Sequence, residues 1–349
     1  ITTDHECSTI AEAREKIGLG MKVLIREGSA ARNMDELKDL INTNPDMVML
    51  CSDDIHPEML VKRHINGLVA QLISEGFDLF DVLRSCTINP TMHYGLEAGL
   101  LQPGNRADFI VTDDYKKMEI LETWIDGRKV FDRGHVLFSY SEPEPVNRFN
   151  CSMIGPEDIR IVRSSDRMRV IEVFDGELLT KEVIVEAGAD KFIESDTSRD
   201  ILKIIVKDRY KDASPSVGFI RGFGLKSGAL ASSVAHDSHN IICTGTNDYD
   251  IVKAINEVVR MKGGLVVANG DRLSSLQLDI AGIMSGKPIA NVASQYELLS
   301  RLVKASGCKL SAPFMTLSFM ALLVIPGLKL SDRGLFDGKA FRFVPLFVG

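Results

Sequence analysis

The chain has 349 residues, 45% hydrophobic and 26% charged, with a net charge of −7. That length buries a sizeable core in two or three domains of an ordinary globular protein. The acidic balance leaves no electrostatic footprint for nucleic acid or an anionic membrane surface, and no stretch reaches the roughly 18 apolar residues of a membrane span.

The chain opens on Ile1-Thr2-Thr3-Asp4-His5, a strand end running straight into polar chemistry, and this start reads as part of a longer protein. Residues 10–20 predict a helix capped by Ser8 or Thr9. Residues 21–25 form a short buried strand. Residues 33–41 read as a helix, with Asn33 as its cap and Glu36 in capping-box position. Residues 47–51 are a second buried strand. Residues 57–75 predict one long helix with Pro57 in its first turn, and residues 78–87 another. Apolar, non-alternating strands separated by helices argue for a parallel sheet covered on both faces. About three strands are present, and a closed eight-stranded barrel needs about five more.

Beyond residue 95 the character changes. Residues 100–108 form a turn into a strand at 109–111. Residues 120–125 and 128–131 pair as a hairpin around Asp126-Gly127. Ser141-Glu142-Pro143-Glu144-Pro145 has linker composition. Residues 146–349 form a second large domain, with strands expected at 169–174, 182–186, 202–206, 217–223 and 241–245. Helices are expected at 248–262 and 294–305, giving an α+β or layered α/β domain. Six cysteines without a CxxC pair fit reduced thiols in a cytoplasmic protein, and no disulfide framework or zinc knuckle.

Three successive strand-to-helix junctions carry polar groups at one end of the sheet: Asp4-His5-Glu6, Arg26-Glu27-Gly28-Ser29 and Ser52-Asp53-Asp54. In a parallel barrel that end is where functional side chains gather. A His there can ligate a divalent metal while a neighbouring carboxylate fixes its tautomer. A carboxylate can bind metal and move protons. The ordinary alternatives are a solvated turn for the first triplet and a helix cap at Asp54 for the third. His64, inside the long helix, faces either the mouth or a surface acid. A second cluster, His236-Asp237-Ser238-His239-Asn240, could bind metal on a helical turn; on a strand its two imidazoles would diverge, and a polar loop is the plain alternative. Residues 313–319 read as core whose hydroxyls could line a pocket.

Taken together these segments resemble the adenine deaminase family of amidohydrolases. The resemblance rests on Thr3-Asp4-His5-Glu6-Cys7, residues 25–33, Cys51-Ser52-Asp53-Asp54 with His56-Pro57, Gly104-Asn105-Arg106-Ala107-Asp108, residues 233–240, and residues 313–319 with 332–336. It implies an α/β fold: the carboxyl-terminal part of a (β/α)8 barrel at 1–95, a β-sandwich part and linker at 96–145, and the family's carboxyl-terminal domain at 146–349. It implies metal-dependent hydrolysis of adenine to hypoxanthine and ammonia in purine salvage. His5 and Asp53 would be metal ligands, with Asp53 also the proton shuttle and Glu27 a second catalytic group. Arg26, Ser29, Asp54 and His64 would lie toward the purine, and His236, Asp237 and His239 would form an additional site. The implied cofactor is a divalent metal pair, manganese or iron(II), with zinc as the alternative. The implied partners are adenine and further copies of the chain. The family's HxH pair is absent, so its barrel strand is expected to precede Ile1 and this chain alone is expected to be inactive. The competing readings are another amidohydrolase acting on a cyclic amide or amidine, and a non-catalytic binding or assembly module.

Overall fold

A computed structural model describes residues 1–29, 32–141 and 144–349. Ala30 and Ala31, within the segment of resemblance at 25–33, and Glu142 and Pro143, in the expected linker, lie outside the described residues. The chain divides into two compact units, Ile1–Ser141 and Glu142–Gly349.

The first unit is built on three parallel strands, β1 (Thr3–Asp4), β2 (Lys22–Arg26) and β3 (Val48–Cys51), in that order. Val23, Ile25, Val48 and Leu50 pack into one core with helix residues such as Leu37, Leu68 and Leu72. The connecting helices are α1 (Ile10–Gly18), α2 (Met34–Leu37) and α3 (Leu40–Thr43), followed beyond β3 by α4 (Pro57–Leu60), α5 (Ile65–Ser74), α6 (Leu79–Cys86) and α7 (Ile88–Tyr94). Thr9 caps α1, its hydroxyl accepting from the Glu12 amide. An antiparallel sheet of β4 (Phe109–Thr112), β5 (Ile120–Ile125), β6 (Arg128–Asp132) and β7 (His135–Val136) completes the unit. Asp126 and Gly127 take φ of 52° and 72°, the left-handed pair that a two-residue hairpin turn requires.

Two helix expectations are corrected. The helix expected at 33–41 is two short helices, α2 and α3, and the Asn33 side chain makes no capping hydrogen bond. It is used across the sheet instead. The helix expected at 57–75 breaks into α4 and α5, so His64 lies at the start of α5 and not inside a helix. The residue before α4 is His56, so capping by Asp54 does not account for the paired aspartates.

The second unit centres on a nine-stranded sheet. Short strands β8 (Ile161–Val162) and β11 (Phe192–Ile193) pair beside it. Its members in chain order are β9 (Arg167–Glu172), β10 (Lys181–Glu186), β12 (Leu202–Lys207), β13 (Ser216–Arg221), β14 (Ala229–Ser232), β15 (Ile241–Gly245), β16 (Gly264–Asn269) and β17 (Arg272–Gln277). In space they run β10-β9-β13-β12-β15-β14-β16-β17. All ladders are antiparallel except β9 with β13. Helix α8 (Asp248–Met261) covers β14, β15 and β16 through Ile251, Ala254, Ile255 and Val258. Helices α9 (Ile289–Ala305) and α10 (Pro313–Phe319) follow, then a hairpin sheet of β18 (Leu328–Ser331), β19 (Gly334–Asp337) and β20 (Arg342–Phe343). Strand β21 (Phe347–Val348) returns to pair with β9. Strand β12 is buried along its whole length, Lys203 and Lys207 included. The Lys203 ammonium is accommodated by Glu194 and Asp248, each at 2.7 Å. Among the described residues no helix is long and apolar enough to cross a membrane.

Candidate functional site

The parallel register of β1, β2 and β3 brings three chain segments out at one edge of the sheet. At the end of β1 the side chains part. Asp4 turns toward α1, where Lys16 Nζ lies 2.9 Å from Asp4 Oδ2 and 2.7 Å from Glu12 Oε1. Cys7 Sγ donates to the same Asp4 oxygen at 2.9 Å, and burial with that carboxylate pushes the thiol up to about 12. Asp4, Cys7 and Glu12 form the one group of three close metal-type donors among the described residues. An ammonium already neutralises it and its thiol stays protonated, so its chemistry is that of a structural ion-pair cluster.

His5 and Glu6 face the other way. His5 Nε2 lies 3.2 Å from Glu6 Oε1. Arg26, the last residue of β2, forks onto both Glu6 oxygens at 3.0 and 3.1 Å and also donates to Asp53 Oδ2 at 3.0 Å. The contact line His5–Glu6–Arg26–Asp53 therefore runs across all three strand ends. The Arg26 side chain is 8% exposed, whereas His5 and Glu6 are each 49% exposed, so a buried cation anchors groups that open to solvent. Asp53 sits just past β3 with φ of 49°, a left-handed conformation that costs a non-glycine residue about 1–3 kcal/mol and recurs at functional sites.

Asn33 locks this arrangement. Its Oδ1 accepts from the Arg26 amide at 2.8 Å, and its Nδ2 donates to the carbonyls of Cys7 at 3.0 Å and His5 at 3.4 Å. Ser29 makes a similar tie to the third junction. Its amide donates to the Asp54 carbonyl and its hydroxyl accepts from the His56 amide at 2.8 Å. Glu27 turns inward, with its carboxyl raised above the usual carboxylate range by burial against the opposing charge of Arg32 and Arg63. Its Oε1 lies 3.4 Å from Arg32 Nε. His64 Nε2 lies 3.3 Å from Ser52 Oγ.

The structure thus joins His5, Arg26 and Asp53 through contacts and places Glu27, Ser29, Asp54 and His64 on the same junctions or against them. Glu6, named in the first junction without a site role of its own, and Asn33, expected only as a helix cap, hold this arrangement together. The sequence signal for Glu6 was its position beside His5; Asn33 was indistinguishable from a helix cap. As a test for a metal, His5 and Asp53 supply one imidazole and one carboxylate at the ends of β1 and β3, on either side of β2, and these are donor types a divalent ion takes. Both fit as part of a ligand set, and Glu6 stands where a carboxylate orients a ligating imidazole.

In the second unit His236, Asp237, Ser238 and His239 form a turn between β14 and β15. The two imidazole centroids lie 5.5 Å apart, and the His236 ring stacks on Phe319 at 4.8 Å. His236 N donates to the Ser318 carbonyl at 3.1 Å, and Tyr210 Oη donates to the Ser238 carbonyl at 3.0 Å. His239 holds φ of 51°. The turn is therefore pinned to the fold from below while Asp237 is exposed. The hydroxyl of Ser318, on α10, is turned into its own helix, donating to the Met315 carbonyl at 2.8 Å.

Residues 177–342 match the family described as adenine deaminase C-terminal domain, and residues 2–130 match the amidohydrolase family. The chain is 49% identical over 351 residues to the adenine deaminase of Salinibacter ruber, covering 100% of this chain and 64% of that protein. It is 46% identical to the adenine deaminase of Methanosarcina mazei, with 99% and 65% covered. It is 44% identical to that of Borreliella burgdorferi, with 99% and 64% covered. The chain thus spans about 64% of the length of the curated relatives it matches.

Proposed function

This chain, in which an amidohydrolase segment precedes an adenine deaminase C-terminal domain, belongs to the adenine deaminases of the amidohydrolase family; from that premise we propose that the full-length protein hydrolyses adenine to hypoxanthine and ammonia. The observation that carries this reading is the contact line from His5 through Glu6 and Arg26 to Asp53 at the ends of three parallel strands. His5 and Asp53 would hold a divalent metal, manganese or iron(II), in a partial (β/α)8 barrel. A divalent ion there supplies acidification of a water, enough to make it a nucleophile near neutral pH.

The chain's own residues account for the rest. The Asp53 carboxylate takes a proton from the attacking water and delivers it to the departing amine nitrogen. Arg26 holds that carboxylate in place through its 3.0 Å hydrogen bond. Glu6 orients the His5 imidazole. Glu27, whose carboxyl burial raises, is suited to exchange a proton with a ring nitrogen of the purine. Arg26, Ser29, Asp54 and His64 line the approach of the base. This chemistry is that of purine salvage, and adenine is the substrate in this reading.

Ammonia release by the full-length protein, supplied with manganese, tests the assignment. Adenine should be deaminated, and cyclic amides such as dihydroorotate should not be opened. The opposite preference would assign the protein to another branch of the amidohydrolases. For the second unit we propose that His236, Asp237 and His239 serve substrate turnover. Changing both His236 and His239 to Ala should lower turnover by about tenfold or more, as for lost positioning groups, with the melting temperature kept. Unchanged kinetics would leave the turn a purely structural feature.

A further inference from the structure

The second unit contains a cleft of about 660 Å³ that the deaminase reading does not use. Three arginines line it, Arg163, Arg167 and Arg199, together with residues 184–189. Arg167 opens β9 and stands across the ladder from Glu186, the last residue of β10. Arg163 follows β8; its amide donates to the Lys191 carbonyl at 2.9 Å and one terminal nitrogen reaches the Ala189 carbonyl at 3.4 Å. Arg199 is fixed by Nε to Asp196 at 2.6 Å and by one terminal nitrogen to the Glu186 carbonyl at 3.0 Å. Arg163 and Arg199 are thus tied by their side chains to the backbone of the cleft, and Arg167 stands on β9.

The donors left over are the informative part. Arg163 pairs with Asp166 through a terminal nitrogen, yet its Nε is buried without a hydrogen-bond partner. The Arg167 guanidinium makes no side-chain hydrogen bond or ion pair among the described residues. Arg199 keeps a terminal nitrogen beyond its two bonds. A buried N–H of a charged group left unpaired is costly, and it marks a place where an acceptor belongs. Two carboxylates, Asp166 and Glu186, also line the cleft, and Asp166 is committed to Arg163. Asp196 holds Arg199 in the same way, so Arg167 is the one cleft arginine without an ion pair among the described residues. At Gly188 an added side chain would meet nothing within 4 Å, so the cleft is open on that side.

Guanidinium groups with spare N–H donors along one cleft match a tetrahedral oxyanion with several acceptor oxygens better than a single carboxylate, which one fork already satisfies. The volume is that of a small-ligand site and exceeds a bare oxyanion. We propose that this cleft binds the phosphate of a small phosphorylated ligand, independently of the deaminase site.

The test measures binding of inorganic phosphate, AMP and adenosine to the intact full-length protein by calorimetry. Saturable binding of phosphate or AMP near or below about 1 mM is expected, with adenosine not binding at this cleft. AMP tighter than phosphate identifies a nucleotide as the source, and equal affinity identifies the free anion. Arg167→Ala, at an exposed position, should weaken that binding about tenfold or more without changing the melting temperature in the ligand's absence. Asp53→Asn should leave it intact, which separates this site from the deaminase reading. No saturable binding of either phosphate compound, or affinity unchanged in Arg167→Ala, would overturn the proposal.

Discussion

Asparagine in place of Asp53 is expected to lower adenine turnover by about 10²- to 10⁴-fold in the full-length protein, the range for loss of a positioned general acid–base group. The substitution keeps the shape of the side chain and an oxygen that can still accept from Arg26, now 3.0 Å from Asp53 Oδ2. It removes the negative charge that suits a divalent ion and the ability to carry a proton from water to the leaving nitrogen. Folding should survive, because the anchors of this region are Asn33 and Ser29, whose backbone ties do not involve the Asp53 carboxylate. Steady-state kinetics with a parallel melting curve distinguish the outcomes. Turnover within twofold of the parent protein would remove Asp53 from the chemistry and favour the binding-module reading.

The second large effect concerns stability. Lys329, in β18, is fully buried, and its ammonium donates to the Leu178 carbonyl at 2.7 Å. Burial away from water pulls its pKa from 10.5 down to about 7. The unfolded chain therefore binds more protons than the folded one between these values, so stability rises with pH across that window. The contribution is fully present above pH 10.5 and lost as pH falls through about 7. A displacement of that size corresponds to roughly 5 kcal/mol in total. Lys329→Met, of similar length and without the charge, should stabilise the second unit at pH 7 by a few kcal/mol, offset in part by the lost hydrogen bond. It should also flatten the rise in stability from pH 7 to 10. Urea midpoints measured over that range check both statements. Parallel curves for the two proteins would show that the ammonium is not penalised where it lies.

The parallel arrangement was legible because Val23-Leu24-Ile25 and Val48-Met49-Leu50 are unbroken apolar runs, with Arg26 directly after the first and Asp53 shortly after the second. The Asp126-Gly127 hairpin was legible because few residue pairs accept its backbone. Other features were hidden for physical reasons. The expected 57–75 helix has no glycine or proline at its break, and only the fold shows that α5 begins at Ile65. Strand β14 consists of Ala229, Leu230, Ala231 and Ser232, mostly small residues without the β-branched signature of a strand. Helix α7 was masked by Pro90, which is tolerated in its first turn. Nothing in the sequence marks Lys203, Lys207 and Lys329 as buried, because neither a distant carboxylate nor a backbone carbonyl partner can be seen along the chain. The candidate site was legible as a set of junctions but not as a network. Glu6 reaches Arg26 and Asn33 reaches Cys7 across twenty residues or more, and sequence spacing carries no record of these contacts.

We propose that His5 and Asp53 hold the ion that this chemistry requires. The most direct measurement is the divalent-metal content per chain of full-length wild-type protein and His5→Ala, purified side by side, with ammonia release from adenine recorded on the same samples. The account predicts that the alanine variant stays folded, loses bound metal and releases ammonia at a small fraction of the wild-type rate. Equal metal content with undiminished ammonia release would contradict it.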